Sequence, residues 1–241
     1  MVKLLLLFLF LALSVSAAAA AADSIPLKYT MGFDYSSGDY GLESDTEIYF
    51  VPFGVEADFY PFLVKVTLPF ILIDGPTGDG SKTTGGIGRL SGRVSYVIPP
   101  FHEAAPWFEV FVELAAPTET IKSLGSGWSF SLRADAIKQY GRLTPFASLG
   151  RTFYTDDLFH DRMFTSIGFS YRFSKRLSGG LLFDWFEASA DRSNDSKDLV
   201  VFANVKTGGW WSVGPYASKG FGEGSPDFGI GVLFSFRPPN D

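Results

Sequence analysis

The 241-residue chain contains no cysteine and only two histidines. The absence of cysteine excludes a disulfide framework, thiol catalysis and a metal site with thiolate ligands. After residue 22 the chain also lacks an apolar run near the roughly 20 residues that a membrane-spanning helix needs. The formal net charge is −6 and Lys and Arg are not clustered, so the sequence lacks the basic footprint of a nucleic-acid binding protein. No motif indicates a cofactor.

The N-terminus has the order of a secretory signal. Lys3 precedes the apolar run Leu4–Leu13, and the small-residue stretch Ser14–Ala22 follows it. A charged n-region, a short apolar h-region and small residues at a cleavage site define such signals. We therefore expect residues 1–22 to be a signal peptide that is cleaved near Ala20 to Ala22. An uncleaved anchor is the alternative, but the apolar run is short for one.

Aromatic residues and glycine are abundant, with 25 Phe, 10 Tyr, 5 Trp and 26 Gly. They fall in segments where apolar and polar residues alternate. In the segment 127–139, a strand would place Trp128 and Phe130 on one face and Ser131 and Arg133 on the other. One face suits lipid and the other suits water. A chain that enters a membrane without spanning helices must do so as a closed β-barrel.

Turn signals divide the chain into twelve strand-like segments, and an even number is typical of bacterial single-chain barrels. Short connections alternate with longer polar ones, except that Pro99–Pro106 is long for its side. We predict an all-β, transmembrane, antiparallel, up-and-down β-barrel of about 12 strands in residues 23–236, followed by a short periplasmic tail at 237–241. The alternative is a soluble β-sandwich or lipocalin-like barrel with its apolar face inside. The predicted segments are 27–36, 43–57, 61–73, 86–98, 107–118, 127–139, 143–155, 163–173, 177–188, 198–207, 209–220 and 226–236.

Charged residues repeatedly occupy the face of a segment opposite its large apolar residues. Because a Lys or Arg that faces the lipid midplane costs about 2–4 kcal/mol, we expect these charges to point into the barrel. Their mixed signs argue against strong selectivity for either charge. Phe111 and Leu233 are apolar residues expected on the same inward face. The residues predicted to line the lumen are Lys65, Arg89, Arg93, Glu109, Glu113, Arg133, Asp135, Arg172, Asp184 and Lys206.

Large aromatic residues cluster near the ends of the predicted strands. Trp and Tyr at such positions form the girdles of membrane barrels at the two interfaces. Together with the signal peptide they predict the outer membrane of a Gram-negative bacterium, with outer-membrane lipid, lipopolysaccharide and the barrel-assembly machinery as partners. These residues are Tyr60, Trp107, Trp128, Tyr154, Trp185, Trp210 and Trp211.

An acidic loop holds one of the two histidines. His160 lies with Asp156, Asp157 and Asp161 between two predicted strands, and Ser166 is the nearest candidate nucleophile. Three interpretations stay open: a Ser–His–acid hydrolase or acyltransferase at the rim, a site for a hard cation such as calcium, or a solvated acidic loop. The same consideration applies to the next loop, which contains Asp191, Asn194, Asp195 and Asp198.

Two similar series of short sequence motifs in the middle of the chain carry a family resemblance. They are Leu68-Pro69-Phe70, Pro76-Thr77-Gly78 and Gly86-Ile87-Gly88, then Leu114-Ala115-Ala116-Pro117-Thr118 and Leu124-Gly125-Ser126-Gly127. Over residues 40–175 the chain resembles the family named for the MetA pathway of phenol degradation. The members of that family are outer-membrane proteins described as transporters. It departs from that pattern at Glu119, where Gly is expected, and at Arg89, where an acidic residue often follows Gly-x-Gly. The resemblance implies a channel for small solutes, aromatic or hydrophobic ones among them.

The glycines of these motifs could also indicate a phosphate-binding loop, but the secondary structure expected around them does not fit one. A dinucleotide fingerprint needs a strand, a turn and a helix, and no helical period follows Gly88 or Gly127. We expect these glycines to permit bends or bulges at the rim of the barrel.

The function that the sequence favours is passive passage or uptake of a small-molecule solute through the outer membrane, without catalysis. Two alternatives remain. One is an outer-membrane lipid-modifying enzyme, and the other is a structural or adhesive barrel with a blocked lumen. The sequence leaves the oligomeric state open.

Overall fold

The computed structural model describes residues 25–40, 45–75, 83–121, 127–190 and 193–239. The expected signal peptide at 1–22, the motif Pro76-Thr77-Gly78 and most of the motif at 124–127 lie outside the described residues. Within the described ranges, no helix is long and apolar enough to cross a membrane. The strands of these ranges are β1 (Leu27–Gly38), β2 (Thr46–Phe59), β3 (Phe62–Asp74), β4 (Thr83–Ile87), β5 (Leu90–Ile98), β6 (Trp107–Ala116), β7 (Ser129–Ile137), β8 (Leu143–Tyr154), β9 (Arg162–Arg172), β10 (Leu177–Phe186), β11 (Ser196–Lys206), β12 (Trp211–Gly220) and β13 (Phe228–Phe236).

These strands close into a barrel. Neighbouring positions pair antiparallel around the sheet, and β1 pairs both with β2 and with the last strand β13. Both β4 and β5 pair with β3, so the thirteen strands occupy twelve positions around the barrel. The prediction of about twelve antiparallel strands is confirmed. The strand predicted at 86–98 is in fact two pieces.

A break separates β4 from β5. The hydroxyl of Thr118 accepts a hydrogen bond from the Leu90 amide (2.8 Å) and donates one to the Gly88 carbonyl (3.3 Å). It thereby bonds backbone groups that regular strand pairing would otherwise satisfy. A Cβ on Gly88 would lie 2.9 Å from the Pro69 Cγ, so glycine is needed where the chain bends. The motif Gly86-Ile87-Gly88 therefore lies at a bend near the rim of the barrel, as expected from its glycines.

The connections define two ends of the barrel. The longer ones join strand ends at one end of the barrel, which we call the loop end: 39–45, 75–82, 117–128, 155–161, 187–195 and 221–227. Of these connections, residues 41–44, 76–82, 122–126 and 191–192 lie outside the described residues. The others lie at the opposite end, which we call the turn end: 60–61, 99–106, 138–142, 173–176 and 207–210. The alternation of long and short connections is as predicted, with 99–106 as the long exception at the turn end.

Large apolar side chains lie on the outer face, and smaller or polar ones lie on the inner face. In β9, Ile167 is 62% exposed whereas the adjacent Ser166 is 3% exposed, because side chains diverge outside a closed barrel and converge inside it. The same alternation in β1 places Met31 and Phe33 outside and Asp34 inside. An apolar outside and a polar inside are typical of a transmembrane barrel and opposite to a lipocalin-like one. The predicted fold class is therefore correct.

The two prolines that made their strands uncertain lie on the outer face. Pro145 stands opposite Phe169 in β9, and Pro215 stands opposite Val232 in β13. The Pro145 carbonyl still accepts a hydrogen bond from the Lys138 amide (3.1 Å). Each proline removes one ladder donor without ending its strand, and both predicted strands are present.

A groove of about 770 Å³ interrupts the outer face near Lys138. The side chains around it are almost entirely apolar and include Ala136, Pro145, Ala147 and Ile167. These residues alternate with the inward-facing ones of the same strands. The groove therefore belongs to the lipid-facing surface and is not a cavity of the lumen.

Aromatic rings reinforce the seam between the first and last strands. The two strands pair from Tyr29 opposite Phe236 to Ser37 opposite Phe228. At the turn end, the ring centroid of Phe236 lies 4.6 Å from that of Trp211 and 6.3 Å from that of Tyr29. Each such pair contributes about 0.5–1.5 kcal/mol beyond its buried area. The rings therefore tie β12, β13 and β1 together.

The chain leaves the last strand at Phe236. The Arg237 amide donates a hydrogen bond to the Trp210 carbonyl (2.8 Å). Pro238 and Pro239, which cannot extend a ladder, follow outside any strand. Residues 240–241 lie outside the described residues, so the periplasmic position of the tail stays a prediction.

We expect Phe236→Ala to weaken the seam. The variant loses contacts with two rings, so its free energy of unfolding should fall by roughly 1–3 kcal/mol. The matched control is Phe234→Ala, which removes a similarly outward ring, 41% exposed, that stacks on no ring among the described residues. Urea unfolding of the refolded protein, followed by its heat-modifiable electrophoretic mobility, compares the two variants. Equal losses would show that the ring stack does not stabilise the seam.

Candidate functional site

The strand register arranges the inward side chains in rows that climb around the barrel, because the strands are tilted. The first row begins near the turn end on β1 and rises through β7. It consists mainly of charged residues, and opposite signs are often neighbours. Its members are Lys28, Glu56, Lys65, Arg93, Glu113 and Ser131.

Two ion pairs hold this first row. The Lys28 Nζ lies 3.6 Å from the Glu56 Oε1, and the Arg93 Nη2 lies 2.9 Å from the Glu113 Oε2. Lys65 stands between Glu56 and Arg93 and has no ion pair within the described part of the chain. Three cations and two carboxylates therefore give this row an excess of positive charge.

The second row contains buried aromatic rings on which two guanidinium groups lie, Arg93 from the first row and Arg133 from the second. The Arg93 Cζ lies 4.0 Å from the ring centroid of Phe111, and the Arg133 Cζ lies 5.4 Å from the same centroid. The Arg133 Cζ also lies 3.9 Å from the ring centroid of Phe164. Phe111 is only 3% exposed, as expected for a ring covered by two cations. The row contains Ser95, Phe111, Arg133, Gly150, Phe164 and Phe186.

A glycine makes the contact between Arg133 and Phe164 sterically feasible. Gly150 lies between these two residues in the register, on β8. A Cβ on Gly150 would lie 2.9 Å from the Leu132 carbonyl oxygen and 3.2 Å from the Arg133 Cβ. The missing side chain therefore lets the guanidinium group cross a whole strand.

The third row consists of acids and hydroxyls, and it runs from the turn end to the loop end. The Arg133 Nε donates to the Asp135 Oδ1 (3.1 Å), and the Ser166 hydroxyl donates to the Asp184 carboxylate. Ser148 is buried beside Ser166. This row gives the inner wall a continuous polar track. Its members are Glu109, Asp135, Ser148, Ser166, Asp184 and Asp198.

A tyrosine and a carboxylate bridge the seam on the inner face. The Tyr216 hydroxyl donates to the Asp34 Oδ2 (2.5 Å), across the position of Gly231 in the intervening strand. A Cβ on Gly231 would collide with the Tyr216 ring. Neither Asp34 nor Tyr216 was among the predicted lumen residues. The alternation of Lys28 and Asp34 with outward apolar residues in β1 was the signal that could have indicated Asp34.

Most of the predicted lumen residues face inward. The structure brings Arg93 to Glu113 and Arg133 to Asp135, and it places Glu109, Asp184 and Lys65 in the rows described above. Two others lie at the turn end: the Arg172 Nη2 donates to the Gly141 carbonyl (3.0 Å), and Lys206 stands opposite Ser212. Their roles in solute passage stay predictions.

Arg89 lies outside these rows, in the break between β4 and β5. Its Nη2 is 3.4 Å from the Oε1 of Glu119, and the two side chains are 16% and 3% exposed. These are the two positions at which the sequence departs from the family pattern. The structure makes them partners, so the unexpected cation and the unexpected carboxylate compensate each other.

The acidic residues at the loop end mainly bond backbone amides. Asp156 accepts hydrogen bonds from the amides of Gly127 (3.1 Å) and Leu158 (2.9 Å), and Asp195 accepts one from the Ala188 amide (2.9 Å). Asp198 lies in β11 and faces inward rather than into a loop. No three His, Asp or Glu side chains of the described residues gather as a metal site; Asp191 lies outside those residues.

Several solved structures share this fold. An outer membrane channel from Pseudomonas putida F1 matches with a TM-score of 0.71 and 17% identity over 89% of this chain and 96% of that chain. The beta domain of the Bordetella autotransporter BrkA matches with a TM-score of 0.61 and 13% identity over 89% and 100% of the two chains. The CymD monoaromatic hydrocarbon channel matches with a TM-score of 0.50 and 10% identity over 89% and 88%.

These likenesses show the fold alone, which is that of outer-membrane β-barrels. No family model matches the chain, and no curated protein matches it. The fold is the one that the resemblance to the phenol-degradation family implies, and membership of that family stays a prediction.

We expect Gly231→Ala to destabilise the barrel by roughly 1–3 kcal/mol, because the added methyl group must displace the Tyr216 ring. Gly92→Ala is the control, since a Cβ at Gly92 meets nothing within 4 Å. In a Tyr216→Ser background Gly231→Ala should cost less than in the wild type, because the ring that the methyl group must displace is absent. Urea unfolding measures the three single variants and the double variant. An equal cost of Gly231→Ala in both backgrounds would contradict the steric explanation.

Reversing the charges of the buried pair tests its partnership. Arg89→Glu or Glu119→Arg alone leaves two like charges together and should lower the free energy of unfolding by roughly 3–5 kcal/mol. The double variant Arg89→Glu with Glu119→Arg should recover a substantial part of that loss. The measurement is a double-mutant cycle from urea midpoints. Additive effects of the two substitutions would contradict a direct interaction.

Proposed function

We propose that the protein is an outer-membrane channel for passive passage or uptake of small solutes. The observation that carries this proposal is the partial exposure of the charged inner wall: the side chains of Arg93, Glu113, Arg133 and Asp135 are 31%, 29%, 31% and 22% exposed. An interior filled by side chains would bury these groups, whereas a wet lumen keeps them hydrated. Water beside these groups provides a path for polar solutes.

The proposal includes the route to the membrane. Residues 1–22 serve as a signal peptide cleaved near Ala20 to Ala22, and the barrel-assembly machinery inserts the mature chain among outer-membrane lipid and lipopolysaccharide. The loop end then faces the outside and the turn end faces the periplasm. The outer face supports this environment, since its exposed rings include Trp128 and Trp211 near strand ends.

Two likenesses support a channel of the kind that the family resemblance implies. The Pseudomonas putida protein is an outer membrane channel, and CymD is a channel for monoaromatic hydrocarbons. We extend from them to this chain only the class of solute, small molecules with aromatic ones among them. Membership of the phenol-degradation family is part of the same proposal.

The enzyme alternative has less support from the geometry. A Ser–His–acid mechanism needs the serine hydroxyl on a histidine, whereas the Ser166 hydroxyl donates to Asp184. The histidine that this mechanism would use, His160, lies in the connection 155–161, where its backbone amide donates to the Ser189 carbonyl (2.7 Å) of the next connection.

A blocked barrel has one observation in its favour. Gly38 and Gly220 occupy inward positions at the loop end, and a Cβ on either would meet the segment 225–227. This loop therefore packs on the inner side of the wall and narrows the mouth. Whether the passage is open is a question for conductance.

The test is single-channel conductance of the mature protein refolded into planar bilayers. The lumen variant is Arg93→Ala with Arg133→Ala. Its loss of two cations leaves Glu113 and Asp135 unbalanced, so the cation-to-anion permeability ratio should rise by about twofold or more. The control is Arg151→Ala with Lys219→Ala, which removes two cations from the outer face at the loop end and should leave the ratio unchanged.

Heat-modifiable mobility establishes that each variant is folded. Absence of conductance steps from a folded wild-type barrel would overturn the open-channel proposal and favour the blocked barrel. Equal effects of the lumen and outer-face variants would remove the assigned pathway.

A further inference from the structure

We propose that Arg93 and Arg133, which both lie over the buried ring of Phe111, form a binding site in the lumen for a small aromatic carboxylate. The proposal deepens the channel function and rests on it for access of the solute to the lumen. It is carried by two features of this cluster: unused guanidinium donors and their fixed positions.

Each guanidinium group keeps donors that the protein does not use. Arginine has five N–H donors. Arg93 uses its Nε and Nη2 on Glu113 (3.0 and 2.9 Å), and Arg133 uses its Nε on Asp135 (3.1 Å). The Nη1 of Arg93 and both Nη atoms of Arg133 have no partner among the described residues. Both side chains are 31% exposed to the lumen, so these donors are available to a solute.

The two groups are also held in place before a solute arrives. A carboxylate fixes one edge of each guanidinium, and an aromatic ring lies under each: Phe111 under Arg93 and Phe164 under Arg133. Such anchoring reduces the entropy cost of binding. Since both groups lie over Phe111, their Cζ atoms are no farther apart than the sum of their distances to its ring centroid, 4.0 and 5.4 Å.

The two guanidinium groups select the sign of the solute. Lys65, Arg93 and Arg133 lie at neighbouring positions, among the carboxylates of Glu56, Glu113, Asp135 and Asp184. Two guanidinium groups over one ring repel each other. A carboxylate that bonds their free donors relieves this repulsion, and the planar guanidinium fork fits two carboxylate oxygens.

The guanidinium faces select a flat ring as the body of the solute. Phe111 and Phe164 are buried, 3% and 8% exposed, so a solute does not stack directly on them. The exposed parts of the two guanidinium groups, rather than the rings, therefore meet a solute in the lumen. Arginine can stack on an aromatic ring and can also bind a carboxylate through two parallel hydrogen bonds. A carboxylate on an aromatic ring can use the edge of one arginine and the face of the other.

The test is equilibrium binding of benzoate to the refolded mature protein in detergent micelles, by titration calorimetry. We expect saturable benzoate binding that weakens by at least about tenfold in Arg133→Gln, the effect of losing charge-assisted hydrogen bonds. Arg93→Lys keeps the charge but loses the fork and should also weaken binding. Arg151→Gln is the control, since that arginine lies on the outer face at the loop end. Benzyl alcohol, benzylamine and acetate serve as comparison solutes, and each should bind more weakly than benzoate.

Heat-modifiable mobility confirms that each variant is folded. Equal benzoate affinity in wild type and both arginine variants, or no saturable binding to the folded protein, would overturn the proposal. Benzyl alcohol or benzylamine binding as tightly as benzoate would overturn the assigned charge, and acetate doing so would overturn the assigned ring. Conductance without benzoate binding would overturn this site and leave the channel proposal standing. Benzoate binding without conductance would support the site while overturning the open channel.

Discussion

Closure of the hydrogen-bonded sheet between β1 and β13 is the constraint on which the rest of the structure depends. Inside a bilayer no water is available for backbone groups, so a β-sheet is tolerated only when its edges are joined. The seam from Tyr29 opposite Phe236 to Ser37 opposite Phe228 joins them. Once the sheet is closed, period-two alternation assigns every strand residue to the lipid or to the lumen. A shift of one strand by one residue in its register would move all of that strand's side chains to the opposite face. The rings of Trp211, Phe236 and Tyr29 stabilise the register at one end of this seam.

The inner wall follows from that register together with small residues at chosen positions. Large inward side chains reach across a whole strand where glycine lies between them and their partner: Arg133 passes Gly150 to contact Phe164, and Tyr216 passes Gly231 to bond Asp34. Each crossing joins two strands that are separated by a third. They also hold charged groups in place on the inner wall, which is the electrostatic arrangement that the proposed binding and passage need.

Much of this architecture could be predicted from the sequence, because alternation is a local property. The face occupied by Arg93, Glu113, Arg133 and Asp135 followed from their immediate neighbours alone. What could not be predicted depends on register between distant segments. The pairing of Arg89 with Glu119, the break beside Gly88 and the contact of Tyr216 with Asp34 each require knowing which residues face each other across strands. Single-sequence patterns specify faces well and partners poorly.

The structure assigns alternate residues of each strand to the lipid and to the lumen. A cysteine-accessibility scan of β7 tests this assignment most directly, because the chain has no cysteine of its own and every introduced thiol reports one position. Single cysteines at positions 130 to 133 would be labelled in liposomes with a charged, water-soluble reagent and, separately, with a lipid-soluble one. Positions 131 and 133 should react with the charged reagent and positions 130 and 132 with the lipid-soluble one. Uniform labelling along the strand, or the opposite alternation, would contradict this assignment of faces.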